Sequence, residues 1–398
     1  MKISGCFILG LCLSGFLLGQ GFDSGSDESD GPLDLTTPGT VIFDPTTFTP
    51  ALDQDGDGVY HFTTINIASG VIVRLANNVL GNRPVIWLAS GAVTISGTLD
   101  LSGGNGHSHS GAPIPAVAGA GGSNGGVGGR TGLAGTPGLG PGGGDVSGGH
   151  AGHAVQGSTG TGNGNGGDAY GNIFLMPLFG GSGGAGGAHS TNGAGGGAGG
   201  GAILLASSIQ ITVVNLIDVG GGQPGGGTGG TTSAGGYGSG GSIRLMAPII
   251  NGSGTLRADG SSGASNGRIR VEAFQHLFTG TTQGETRFVT PGNVFPPANS
   301  PTVNVTAIGG AMVPANPLGG FNPADLVINE GGSVTIDVVA ENIPVGTVVD
   351  LSIWTESTGN MVLQTTPLAG NLANSTATAT ATFPHGFSRI SIQASWNP

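Results

Sequence analysis

Ala202-Ile203-Leu204-Leu205-Ala206, then Ile209-Gln210-Ile211, then Leu216-Ile217-Asp218-Val219, closing on Gly220-Gly221: this run decides the fold. Apolar and polar residues alternate within its short pieces, which is the two-residue period of a half-buried strand. The same texture recurs on both sides. Upstream it runs from Val59 through Thr64-Ile65-Asn66-Ile67 to Val71-Ile72-Val73-Arg74-Leu75. It returns as Val85-Ile86-Trp87-Leu88-Ala89, Ala92-Val93-Thr94-Ile95 and Thr98-Leu99-Asp100-Leu101, ending in Gly103-Gly104. Downstream stand Ser242 to Ala247, Ile249-Ile250 and Thr255-Leu256-Arg257-Ala258, ending at Gly260, and Arg268 to Ala273 opens a fifth unit. A unit on the order of 20 residues cannot bury its own apolar side, whereas stacked units bury it in continuous ladders of Ile, Leu and Val. The pattern predicts an all-β chain with a parallel β-solenoid-like domain over residues 51–289. The competing arrangement is an antiparallel sandwich with long loops.

Long glycine-rich segments leave this pattern after the third strand of a unit, at residues 103–201 and 220–241. Of the 99 residues in the first, 41 are glycine, and its only charged residues are Arg130, Asp145 and Asp168. Insertions at one corner of a stack fall on one face. Runs such as Gly183 to Ala188 and Gly195 to Gly201 permit extended three-residue helices of the polyproline II type, or plain coil. The apolar patch from Tyr170 to Phe179 is suited to dock the insertion back onto the scaffold.

Charged residues make up 8% of the 398, far below the usual quarter, and the net charge is −12. Phosphate binding needs clustered Lys and Arg, so nucleic acid is not an expected partner. Lys2 is the only lysine, which excludes Schiff-base chemistry and a P-loop once a leader is removed. Lys2 followed by apolar Ile3 to Leu18 and Gly19-Gln20-Gly21 predicts a secretory signal peptide over residues 1–21, with no membrane span in the mature chain. Cys6 and Cys12 both lie inside it, and neither has the context of a lipoprotein cysteine. Export without disulfides points to a bacterial secreted or cell-surface protein stabilised by strand stacking.

Residues 22–50 read as an acidic Thr/Pro linker: Asp23, Asp27, Glu28, Asp30 and Asp34 alternate with Gly and Ser, too polar to order themselves. A Pro-rich bridge spans residues 290–301. Residues 302–398 hold about seven short strands with turn residues between them, the spacing of an immunoglobulin-like β-sandwich without its cysteine pair. The strands are expected at Val303 to Ile308, Leu326 to Ile328, Ser333 to Ala340, Thr347 to Trp354, Met361 to Thr365, Thr376 to Phe383 and Ser388 to Trp396.

Asp53-Gln54-Asp55-Gly56-Asp57-Gly58 matches the first half of a calcium loop, with carboxylates at alternate positions able to converge on one cation. An EF-hand fails, because Thr64 stands where its bidentate Glu belongs and a strand follows. A calcium-stapled cap held by Asp53, Asp55 and Asp57 is one reading, and an acidic glycine turn is the other. No other cofactor is implied. His107, His109, His150, His153 and His189 have spacings a metal could use, but glycine around them fixes no geometry, so solvated loop histidines are expected. Gly180-Gly181-Ser182-Gly183-Gly184 fits the nucleophile elbow only as glycine-rich sequence does by chance. Asp100, Asp218 and Asp259 recur at the end of the third strand and read as an acidic ladder, turn caps or an acid–base pair. Thr376, Thr378, Thr380 and Thr382 alternate with alanines, either as an ice-binding row or simply as Thr outward and Ala inward.

The rungs ending in Asp-x-x-Gly-Gly, the glycine-rich inserts and the trailing sandwich resemble the large exported glycine-rich β-helix proteins of environmental bacteria. The resemblance covers residues 59–273 and brings no catalytic motif with it. The Gly-Gly-Ala-Gly-Gly stretches are similar in composition to the glycine-rich repeats of mycobacterial surface proteins. Polysaccharide lyases and polygalacturonases share the solenoid, but their clusters of Asp with Lys or Arg are not evident here. The expectation is a non-enzymatic exported structural protein of the surface or matrix, meeting a surface glycan, a matrix component or further copies of itself. A carbohydrate-binding adhesin using Trp87, Tyr170, Tyr237 and Trp354 is the alternative, and a polysaccharide-active enzyme built on the Asp ladder is the second.

Overall fold

The computed structural model describes residues 21–398 except 131–134, 188–191, 227–233, 315–316, 318–323, 330–331, 356–358, 387 and 397–398. Residues 1–20 of the signal-peptide segment, His189 and the side chain of Trp354 lie outside the described residues.

Alternating sequence becomes strand wherever the expected ladder can form. The first unit holds β1 (Gly31–Leu35), β2 (Gly39–Ile42), β3 (Val59–Ile67), β4 (Val71–Arg74), β5 (Val85–Ala89), β6 (Val93–Ile95), β7 (Thr98–Asp100), β8 (Ala202–Ser207), β9 (Gln210–Val213), β10 (Leu216–Asp218), β11 (Ser242–Gly252), β12 (Thr255–Arg257), β13 (Arg268–Phe278), β14 (Thr281–Gln283) and β15 (Glu285–Val289). A short helix, α1 (Asn77–Leu80), lies between β4 and β5. All strand pairings within this unit are parallel. One sheet runs β14-β12-β10-β7-β4-β2, and the larger runs β15-β13-β11-β8-β5-β3-β6-β9 with β1 on β3.

The registers align identical positions of successive rungs. Tyr60 pairs with Trp87, Trp87 with Leu205, Leu205 with Leu245, Leu245 with Val271 and Val271 with Phe288. A second column runs Val73, Leu99, Ile217, Leu256 and Thr282. As far as Val271 and Leu256 these inward side chains form one buried core, closed at its start by Phe43, Phe62 and Trp87; on the last rung Phe288 is exposed. At about 1.5–3 kcal/mol for each large apolar side chain fully buried, the columns are the main source of stability for the unit.

Residues 22–50 are not a linker. β1 pairs with β3 and β2 with β4, and both Leu33 and Phe43 are buried. The segment is too polar to order alone, but β3 and β4 offer a preformed edge, so few apolar side chains suffice to seat it. The Ser24 hydroxyl adds a hydrogen bond to the Ala89 carbonyl at 2.8 Å.

The insertions leave the six-stranded sheet after β4, β7, β10 and β12. Their first residues continue the ladder, with Leu75 N–H donating to Asp100 O, Leu101 to Asp218 O and Val219 to Arg257 O. The described glycine-rich residues bond to one another beyond that corner. Gly181, Gly184 and Gly187 donate to Gly200, Gly197 and Ala194. Ser123, Gly126 and Gly129 donate to Gly181, Gly184 and Gly187, and Gly199, Gly196 and Gly193 donate back to Ser123, Gly126 and Gly129. The period is three. Successive residues of one segment therefore serve three different neighbours: Gly196 bonds Gly126, Gly197 bonds Gly236 and Ala198 bonds Gly104. That is the geometry of packed polyproline II helices, which carry no internal hydrogen bonds and satisfy their main chains on one another. Glycine is required for the close approach. A Cβ on Gly122 would lie 2.5 Å from the Gly200 carbonyl oxygen.

The bridge is fastened as well. Glu272, fully buried, accepts from Arg244 at 2.8 Å, from Arg270 at 2.7 Å and from the Gly292 amide at 2.8 Å. Arg244 also donates to the carbonyls of Asn293 and Val294. Val294, Leu178 and Phe22 cover Leu88, Leu204 and Met246 on the outer face of the larger sheet. Of the apolar patch of the insertion, Leu178 docks there, whereas Ile173 and Phe174 stay exposed.

Residues 302–394 form β16 (Thr302–Ile308), β17 (Ala311–Met312), β18 (Ser333–Glu341), β19 (Val349–Thr355), β20 (Gly359–Gln364), β21 (Ala369–Asn371), β22 (Asn374–Thr382) and β23 (Ser388–Ala394). These pair antiparallel as β17-β16-β18-β22-β21 and β20-β19-β23. Ile336, Val338, Leu351, Ile353 and Ala379 share a separate core. Leu326 to Ile328 forms no strand, having no pairing partner among the described residues. On β22 the alanines are buried and the threonines exposed.

Candidate functional site

The turn before β3 gathers the carboxylates singled out in the sequence. Asp53, Asp55 and Asp57 each place an oxygen within 4.8 Å of the others. Left-handed backbone at Asp53 (φ 52°), Gly56 (φ 71°) and Gly58 (φ 78°) folds the segment tightly enough to do this. The Asp53 carboxylate accepts from Gly58 N–H at 3.1 Å, and Asp57 caps Val59 N–H at 2.7 Å. Asp30, from the first rung, accepts from the amides of Asp53 at 2.9 Å and His61 at 2.7 Å, tying the turn to β3. Burial pushes the Asp53 carboxyl upward, the Gly58 amide opposes, and Asp55 and Asp57 add to the rise. Three oxygens in this arrangement suit a hard divalent cation, which would relieve the mutual repulsion of the carboxylates. Arg83 reaches over from the far side to the Asp57 carbonyl.

A cleft opens next to this turn, lined by Asp53, Tyr60, Val79, Leu80, Arg83 and Val85 among others, with a volume of about 150 Å³. Its floor is the apolar end of the rung core. Sequence reasoning passed over Tyr60 and Arg83. The available signal was Tyr60 itself, a phenol at an inward position of β3 in a column that continues after Trp87 with the hydrocarbons Leu205, Leu245 and Val271.

The Asp ladder is neutralised by arginines standing in the same column. Arg74 pairs with Asp100 in register, Asp100 with Asp218, and Asp218 with Arg257. Arg74 binds Asp100 at 2.7 Å, and Arg257 binds Asp218 at 3.1 Å and Asp259 at 2.7 Å. Burial raises the Asp218 carboxyl, against the pull of the Gly220 amide and Arg257. Arg257 stands between Asp218 and Asp259, so the ladder is an ion-pair column and cap.

The loop histidines are not uniformly solvated. His150 and His153 are buried in the bundle, where each uses a ring nitrogen on a glycine-rich neighbour. His150 Nδ1 accepts from Tyr237 N–H at 3.0 Å. His153 Nδ1 donates to Gly240 O at 2.6 Å, with its ring stacked on Tyr170 at 4.6 Å. Burial lowers both, that of His153 to about 4. His107 Nε2 accepts from Gly128 N–H at 3.1 Å, and His109 Nδ1 faces the Gly226 carbonyl at 3.2 Å. Side chains that close main-chain bonds in this way act as structural plugs.

Ser182 is fully buried, accepting from Gly142 N–H at 2.9 Å and donating to Tyr170 Oη at 3.0 Å, so no nucleophile elbow presents it. Of the stacking aromatics, Trp87 is fully buried against Phe43 and Phe62. Tyr170 is half-buried and donates to Gly180 O at 2.6 Å, and Tyr237 is half-buried beside His150. These three do not form an exposed row. No helix among the described residues is long and apolar enough to cross a membrane.

Comparison of the chain with protein families, with curated proteins and with solved structures gives no match.

Proposed function

We propose that the chain is an exported, non-enzymatic structural protein of the bacterial surface or matrix. In this reading residues 22–289 are a β-solenoid that serves as a rigid base. The glycine bundle stands on one corner of it, and residues 302–398 are an immunoglobulin-like spacer or docking domain. The observation that carries the reading is the bundle itself. Its interior is main chain bonded to main chain, and the side chains of His107, His150, His153 and Ser182 are occupied in holding it together. A device of this kind displays the loops that join its helices, such as those around Ile114 and Val155, both exposed. Supporting it, the leader has the make-up of a signal peptide, and the arginine-paired ladder provides no free acid–base couple. Calcium at Asp53, Asp55 and Asp57 belongs to the same reading, as a staple on the first rung.

The test is expression of the full chain, and of a chain lacking residues 1–21, in a bacterial host, followed by surface labelling and fractionation. The proposal predicts that the full chain reaches the medium or the outer surface and that the shortened chain stays inside. Retention of both in the cytoplasm would overturn it. Release of reducing sugar from polysaccharide by the purified chain would replace it with the enzyme reading.

A further inference from the structure

Tyr60 holds a polar group that the fold leaves unused. Its ring belongs to the core, 5.3 Å from Phe43 and stacked on Phe62, and the residue is 5% exposed. Buried tyrosine hydroxyls ordinarily find a hydrogen-bond partner. Among the described residues that of Tyr60 makes no hydrogen bond, and Tyr60 lines the cleft beside the acidic turn. Two further groups converge there. Asp53 brings a carboxylate that only accepts, and Arg83 a guanidinium that only donates. Val79, Leu80 and Val85 supply an apolar wall.

The charge pattern selects the ligand. An anion would meet Asp53 with Asp55 and Asp57 close by, and an organic cation would meet Arg83. A neutral ring bearing hydroxyls meets neither objection. Each hydroxyl can donate to Asp53, accept from Arg83 or do both with Tyr60, while the C–H face of the ring lies on the apolar wall. A cleft of about 150 Å³, below the roughly 300 Å³ at which ligand pockets usually begin, has room for one such ring at most and not for an oligomer.

We propose that this cleft is a subsite for one neutral sugar residue, with Tyr60, Asp53 and Arg83 as its polar contacts. The inference deepens the surface-protein reading by naming what the base of the stack grips, and it rests on that reading only for where the sugar comes from.

The test uses the purified full chain in a chelator, so that cation binding plays no part. Saturation-transfer NMR is recorded with methyl glucoside, methyl galactoside and methyl mannoside in turn. The expected result is transfer to at least one of them, lost in Val79→Trp, which fills the cleft, and weakened about fivefold in Tyr60→Phe, which removes one hydrogen bond. Unchanged melting temperatures show that both variants keep the fold. Val79 is 39% exposed and the Tyr60 hydroxyl has no structural partner to lose. No transfer with any of the three glycosides, or transfer undiminished in both variants, would overturn the proposal. A failure of surface export would leave this result untouched, and a failure here would leave export untouched.

Discussion

Glycine in the bundle is a packing requirement at individual positions, and the requirement is uneven. At Gly199 an added Cβ would run into the main chain of Gly181 and Ser182, whereas at Gly226 it would meet nothing within 4 Å among the described residues. Gly199→Ala should therefore destabilise the protein by about 3 kcal/mol or more, as forced overpacking does. Gly226→Ala should stay within about 0.5 kcal/mol, as open surface changes do. Urea unfolding of the two variants checks the contrast. The composition announced such sites as a class, but not their identity, because the partner carbonyls come from segments far apart in the chain. The histidines carry a second residue-scale consequence. His153 is held neutral by burial, with its pKa at about 4 in the folded state against about 6.5 unfolded. Its contribution is whole above the unfolded value and is lost as the pH falls toward 4, because the unfolded chain then binds the extra proton. The span corresponds to about 3 kcal/mol. Burial shifts His150 the same way and steepens the slope, while Asp218, raised by burial, acts in the opposite sense at the carboxylate end. His153→Gln should flatten the pH dependence of the melting temperature between 6.5 and 4. An unaltered slope would show that the ring is not held neutral.

At the scale of elements, the periodicity placed β5 to β13 because each strand shows its inward residues in its own sequence. It failed for β1 and β2, whose few buried residues acquire meaning only against β3 and β4. It also passed over the fastening of the bridge, since Arg244, Glu272 and Gly292 are separated in sequence and joined across the outer face of the sheet. Glu272→Gln leaves Arg244 buried without its counter-charge, which should cost about 3–5 kcal/mol. The same change should expose residues 290–301 to limited proteolysis before the rest of the chain unfolds. Equal resistance of the wild type and the variant at that segment would mean that the carboxylate does not hold the bridge.

For the whole molecule, the acidic turn and the rung stack make one stability unit, since Asp30 of the first rung holds the turn and Asp53 lines the cleft beside it. A cation bound by Asp53, Asp55 and Asp57 would bind the folded state only. At a concentration of about one hundred times its Kd it would add about 2.7 kcal/mol. Calcium should raise the melting temperature of the wild type and leave Asp55→Asn unmoved. No rise in the wild type would reduce the turn to an acidic cap. The position of the turn was legible in the sequence, and so was the corner from which the glycine segments leave. Whether those segments order was not, because glycine permits coil and packed helix alike, and only the three-residue hydrogen-bond register between distant segments separates them.

That order is the central claim, and hydrogen–deuterium exchange on the full chain tests it most directly. Peptides covering residues 180–187 and 193–201 should be protected to a degree comparable with β8 and β11, because their amides are bonded and buried. Complete exchange of those peptides within seconds, with β8 and β11 still protected, would show a flexible insertion on a folded stack and contradict the account.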